Sequence, residues 1–549
     1  MLNKSDALLR NPVLWLLLLC AANFFVMLGA PSLWDVDEPN NAVCAREMLL
    51  AGNWWVPMFN GDCRFDKPIL IYWLLMPLNA LFGVNEWTAR LPSAIAISGL
   101  VFVIWKMTLR LLGDQRTAFM AAVLFVTALH IIVIAHAAVP DPLLMLALGF
   151  ALPAFLIVYL EEKEKPLTSM PKLLLAAYIA LGLGVLAKGP IAGLMPLLIV
   201  GAFVTVTQQW RNWRIFHPWK GVLIVMLVAL PWYVTVGVLT DGEWLNGFLF
   251  HHNLDRFTDS LQGHRGFPGL YILSYLVGWF PWTGFLAAVL LFGTWQLQAL
   301  REQPIRLFML CWIGIFILFF SVARTQLPNY VLPAFPAAAI LMAYGWLHAS
   351  TELRQRFMLY AAWTAFAVSL LAMIAGAVAI HKMWPGEGMY VLAMAPVTLA
   401  SGWWLRNRQG EAWLSIAAGM VGCILLLTLW SLPNIDHHKV TRNMAATATE
   451  AGFDGNSLAT FRYFQPSLLF YHGGRLPTLG SATQVGQWLI RGKAVVMTQH
   501  ALSELPKEIL PYLIIHERAY GMYARSWLML VSLRPIDGVA LEDITWQKQ

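Results

Sequence analysis

The sequence predicts an α-helical polytopic membrane protein of about thirteen spans that ends in a small α/β domain. Three observations carry this fold class. Of 549 residues, 59% are hydrophobic and only 12% are charged, too few charges to cover a water-soluble surface. The mean hydropathy is +0.62. Apolar runs recur along the chain, at 13–30, 118–136, 143–160, 173–187, 221–238, 307–322, 331–347, 357–380 and 412–432. At 1.5 Å per residue most can cross a hydrocarbon core of roughly 30 Å, and the shorter ones need flanking residues to do so.

Lys4 and Arg10 precede the first run, as in a signal peptide. The run is long for such a segment and lacks a clear small-residue cleavage site, so an uncleaved first span is expected. With the N-terminus in the cytoplasm, interior loops hold Lys4, Arg10, Lys106, Arg110, Arg116, Lys163, Lys165, Lys172, Arg211, Arg214, Lys220, Arg301, Arg306, Arg354, Arg356, Arg406 and Arg408. These seventeen outnumber nine in the exterior loops, which supports this orientation and places the tail outside. The net charge of +7 is thus spent on topology; no basic, aromatic-interleaved nucleic-acid patch occurs. From about 433 charges become frequent, and β-like runs at 494–498 and 527–533 alternate with helix-like stretches. The division expected is a transmembrane domain at 1–432, with a large exterior loop at 31–90, and an α/β domain at 433–549. The five cysteines form no CxxC or zinc pattern; Cys44 and Cys63, in the exterior loop, could pair or remain thiols.

That loop is the most informative segment. It reads Trp34-Asp35-Val36-Asp37-Glu38-Pro39-Asn40. Three carboxylates in four residues at a membrane exit repel one another and are costly unless paired or used. Asp37 or Glu38 could cap a helix starting near Pro39, which accounts for one acid and not three. Further on, Asp66-Lys67-Pro68 precedes an aromatic-rich run at 69–73 suited to the interface. Lys67 could hold a phosphate or snorkel to headgroups. Asp141, between Pro140 and Pro142, falls on the same exterior face; it is a second acid of the site or an N-cap of the next span. Lys188-Gly189-Pro190, His251-His252-Asn253-Leu254-Asp255-Arg256 and Leu327-Pro328-Asn329-Tyr330 share that face. Carboxylates beside cations and aromatics suit an anionic lipid headgroup and an oriented acceptor.

Together, D-x-D-E-P, A-R-E-M-L, D-K-P, N-E-W-x-A-R-L-P, P-D-P, K-G-P, H-N-L-x-R-F and L-P-x-Y-x-L-P over roughly 33–336 resemble the GT-C glycosyltransferases. The branch they resemble contains the aminoarabinose–lipid A transferases, with protein O-mannosyltransferases more distant. The resemblance implies an inner-membrane enzyme whose site faces the periplasm. Its donor would be a sugar on undecaprenyl phosphate, and its acceptor an envelope lipid, lipid A or another glycolipid, or a protein. By position, Asp37, with Glu38 beside it, looks like the first essential acid and Asp141 like the second. Lys67 and Arg256 look like donor-phosphate ligands, with Tyr330 and Lys188 in the pocket. Asn40 stands where relatives carry Arg or a similar residue. No cofactor is demanded, although Asp66 with His251 or His252 could hold a divalent metal ion. Asp35 has no counterpart role and serves as the control acid of the cluster. The competing readings are a transporter or flippase, which buried charges within spans or inverted repeats would favour, and a non-enzymatic envelope subunit.

Overall fold

The computed structural model describes residues 10–162, 170–249, 267, 269–293, 295–408, 411–507 and 509–534. Contacts divide the chain into two compact units: Met1–Leu28, Phe65–Leu74 and Arg90–Ser431 in one, and Gly29–Arg64, Leu75–Ala89 and Leu432–Gln549 in the other.

The first unit is helical. Among the described residues, eight helices are long and apolar enough to cross a membrane, or ten if each of two bent pairs is one span. Pro12–Phe25, Leu70–Phe82 and Ile191–Thr207 are shorter apolar helices. Surroundings differ sharply. In Asp141–Glu162 78% of the most apolar window is buried against protein, whereas in Thr351–Met383 the share is 11%. The former is a central helix and the latter leaves its apolar surface for lipid.

The bent pairs are Gln115–Val126 with Leu129–Ala135 (63°) and Leu270–Gly278 with Thr283–Leu291 (119°). A break frees backbone groups that hydrocarbon cannot satisfy. Here the two breaks satisfy each other. The Leu129 amide donates to the Phe280 carbonyl (2.8 Å), and the Trp282 indole donates to Thr127 Oγ1 (3.0 Å).

The second unit joins exterior-loop segments to the C-terminal fold. Helix Asp37–Leu50 leads to a hairpin of β1 (Met58–Phe59) and β2 (Asp62–Cys63). Its turn residues Asn60 and Gly61 have φ of 54° and 91°, the left-handed pair that a two-residue hairpin favours. The Glu47 carboxylate accepts both turn amides, at 2.8 and 3.0 Å. Cys44 is buried and Cys63 exposed, and both are thiols.

Five further strands follow: β3 (Leu458–Phe461), β4 (Thr478–Leu479), β5 (Ala494–Thr498), β6 (Leu513–Gly521) and β7 (Ser526–Leu533). They form one sheet in the order β4-β3-β5-β7-β6. β3 runs parallel to β4 and β5, and β7 antiparallel to β5 and β6. Ala459, Phe461, Val495, Met497, Met529 and Val531 build its core with Val485 and Leu489 of helix Ala482–Ile490.

Candidate active site

In the membrane unit, Asp141 opens helix Asp141–Glu162 and is 4% exposed. A carboxylate so buried needs a counter-charge and hydrogen-bond donors. Lys188 supplies the charge through a short ion pair from Nζ to Oδ1. Asn329 Nδ2 donates to the same oxygen at 3.2 Å. Lys188 ends helix Lys172–Lys188, which Gly189 (φ 88°) terminates. A Cβ at 189 would stand 2.7 Å from the Phe248 ring, so glycine is needed for both conformation and space. Asn329 and Tyr330 lie in the 3-10 turn Pro328–Ala334. The Lys188 ammonium is 5.7 Å from the centre of the Tyr330 ring, within reach of its negative face, and Phe320 packs on that ring at 4.9 Å. Three sequence candidates, Asp141, Lys188 and Tyr330, are therefore brought together. Asn329 joins them and was not singled out beforehand; its place beside Tyr330 in a Pro-bounded motif was the available signal.

In the second unit the three acids separate. Asp37 is exposed at the first position of helix Asp37–Leu50. The N-cap is Val36, and among the described residues no side chain caps this helix. Capping thus does not account for Asp37. Asn40, half-buried, follows three positions later, on the same helical face. Glu38 is buried and accepts the Trp34 amide at 2.7 Å, so it shapes the turn before the helix.

Asp35 corrects the sequence reading of an idle control acid. It accepts the Ser467 amide at 2.9 Å and a short bond from the Ser467 hydroxyl. Burial pushes its carboxyl above the ordinary range, against the Ser467 bonds and Lys439, with Glu38 adding to the rise. Nearby, burial pushes the Tyr523 phenol up to about 12, aided by Asp35 and Glu38. The sequence could not reveal Asp35's partner, which lies 432 residues away.

Lys67 and Asp66 are half-buried. They follow Phe65, whose ring lies 2.8 Å from where a Cβ on Gly247 would stand. His251, His252 and Arg256 lie outside the described residues. Of the metal-ligand candidates only Asp66 is described. Other motif residues hold the fold together. Arg46 donates to the Phe470 and Leu469 carbonyls, at 3.0 and 3.3 Å. The Tyr471 hydroxyl donates to Glu86 at 3.1 Å. Arg90 donates to the Leu28 carbonyl at 3.0 Å.

Residues 32–244 match the family described as dolichyl-phosphate-mannose-protein mannosyltransferase. The undecaprenyl phosphate-α-4-amino-4-deoxy-L-arabinose arabinosyl transferase of Aeromonas hydrophila is 31% identical over 394 residues, 71% of this chain and 70% of that protein. The chain belongs to this transferase family. The like-named protein of Pectobacterium atrosepticum is 27% identical over 444 residues, covering 79% of this chain and 77% of its own. The family's fold is shared as well. The crystal structure of ArnT from Cupriavidus metallidurans bound to undecaprenyl phosphate superposes with a TM-score of 0.78 at 22% identity, over 94% of this chain and 97% of that one. Its apo state gives 0.79 at 21% identity, with the same coverage. The predicted GT-C fold class and multi-pass membrane character therefore stand, as does the resemblance that implied them.

Proposed function

We propose that this protein transfers a sugar from an undecaprenyl-phosphate donor to an envelope acceptor at the periplasmic face of the bacterial inner membrane. The donor chemistry rests on the relatives' shared name, undecaprenyl phosphate-aminoarabinose arabinosyl transferase. The acceptor is lipid A or another glycolipid in the first instance, with protein as the second choice. The observation that carries a transferase reading is Asp37, an exposed acid at a helix start with no capping role.

In this reading the acceptor oxygen attacks the anomeric carbon, the bond from that carbon to the phosphate oxygen breaks, and configuration inverts. Asp37 orients the acceptor and takes its proton if it is a hydroxyl; a phosphate acceptor needs orientation alone. The leaving group, undecaprenyl phosphate, departs as an anion, and Lys67 and Arg256 stabilise its developing charge. Asp141 is held by Lys188 and Asn329, so its part is to fix those side chains and Tyr330 around the donor.

The test is incubation of purified protein with labelled undecaprenyl phosphate-4-amino-4-deoxy-L-arabinose and a membrane extract. Labelled glycolipid or protein identifies the acceptor. Label that crosses liposome bilayers without any product would favour a transporter instead.

A further inference from the structure

We propose that the C-terminal α/β fold is a clamp on the catalytic loop, with Asp35 and Ser467 as positioning residues that set where Asp37 stands. The inference rests on Asp37 being the catalytic acid. The residues before it, Ser32 to Asp35, have neither helix nor strand to hold them. Each is instead fixed by side chains from far along the chain. Asp436 accepts the Ser32 amide at 3.1 Å and its hydroxyl at 2.8 Å. Lys439 donates to the Ser32 carbonyl at 2.7 Å and lies 3.5 Å above the Trp34 ring. The Tyr471 hydroxyl accepts the Leu33 amide at 2.8 Å. Ser467 holds both oxygens of Asp35, and its own hydroxyl oxygen lies 2.9 Å from that of Thr441.

Ser467 is fully buried and Thr441 is 5% exposed, so water cannot replace these partners. Ser467 is itself anchored one residue into helix Pro466–His472. Asp37 is two residues beyond the Asp35–Ser467 bond, a distance over which a lost constraint moves a carboxylate appreciably. A misplacement of about 1 Å is enough to cost a reaction roughly 100-fold. The sequence spacing also makes sense of the acid pair: in Asp35-Val36-Asp37 the first acid anchors and the second reacts.

The experiment compares Ser467→Ala, Asp35→Asn, Asp37→Asn and the doubles with Asp37→Asn in the full-length protein. Turnover is measured in single-turnover mode with labelled donor and normalised to donor-binding sites. Ser467→Ala is expected to lower turnover about tenfold or more, a share of the 100-fold ceiling, with donor affinity unchanged. Asp35→Asn keeps only one of the two oxygens that Ser467 occupies, so it weakens the same link and tests it should Ser467→Ala fail to fold. In the Asp37→Asn background either change should cost nothing further, because the group being positioned is gone. Wild-type turnover per site in both single variants would overturn the clamp. So would a loss that persists in full in the Asp37→Asn background, which marks general destabilisation. Wild-type turnover by Asp37→Asn alone would sink the catalytic assignment first, and is told apart by that variant.

Discussion

Asp141 and Asp37 are alike in one respect: each opens a helix close to a proline, Asp141 between Pro140 and Pro142 and Asp37 two residues before Pro39 in an acidic cluster. The structure gives them opposite circumstances. Asp141 is buried, ion-paired and hydrogen-bonded to Asn329; Asp37 is exposed at an uncapped helix start. An acid whose charge is already matched by a neighbouring cation is a good anchor. An exposed one at a helix start is reachable by an acceptor. The difference is the ground for proposing an anchoring part for Asp141 and a catalytic one for Asp37.

Breaking the buried pair should have the largest effect. Lys188→Ala leaves Asp141 without its cation, an expected cost of about 3–5 kcal/mol. Thermal unfolding in detergent should show it, and Asp141→Asn combined with Lys188→Met should recover most of the loss. An unchanged melting temperature for Lys188→Ala would mean that the pair is not what holds this corner.

Asp37→Asn should leave the melting temperature alone and lower initial rate at least about 100-fold, the low end for a positioned base. Asp141→Asn should do the reverse, with a larger loss of stability than of rate. If both acids behaved identically in the two assays, the contrast between them would dissolve.

Lys67 sharpens the donor side. Lys67→Ala should weaken donor use about tenfold, the weight of one charge-assisted bond, and Lys67→Arg less, because charge is kept though geometry changes. Equal, wild-type rates at limiting donor would point to headgroup snorkelling.

The smallest effect is a pH dependence in the second unit. His472 is buried, with Nε2 on the Gly455 carbonyl at 2.8 Å and, among the described residues, no partner for Nδ1. Burial holds its imidazole below the ordinary value, with Arg46 working in the same direction. The unfolded chain therefore takes up the proton first, so stability is full above about pH 6.5 and declines as pH falls below it. His472→Asn should flatten that decline in a pH series of unfolding midpoints; an unchanged slope would put the proton uptake elsewhere.

Much of the fold was legible because membrane spans announce themselves by length and apolarity. Strand β5 coincides with the expected 494–498, and β7 begins one residue earlier than expected. β6 was not foreseen. It is an edge strand whose alternation is interrupted at His516-Glu517-Arg518 and by an irregularity between Ile515 and Glu517, so its period-2 signal is broken. β3 and β4 are too short to register as periodic. Among the candidate residues, residue types alone point to Asp37, Asp141, Lys188 and Tyr330. Pairings across hundreds of residues, such as Asp35 with Ser467 or Asp436 with Ser32, leave no local trace. Among the described residues, Pro12–Phe25 and Ile191–Thr207 are apolar helices shorter than the long spans.

The interlocked helix breaks carry a consequence for how the chain is made. Thr127 and Trp282 are 155 residues apart. At 5–20 residues per second, the first bent helix is synthesised about 8–30 s before its partner exists. Through that interval the amide of Leu129 must be sheltered by the insertion machinery or by water at its mouth, since lipid offers no acceptor. Ribosome-arrested chains ending between these two positions should therefore stay crosslinked to the translocon, and be released into the bilayer only once the second bend has emerged.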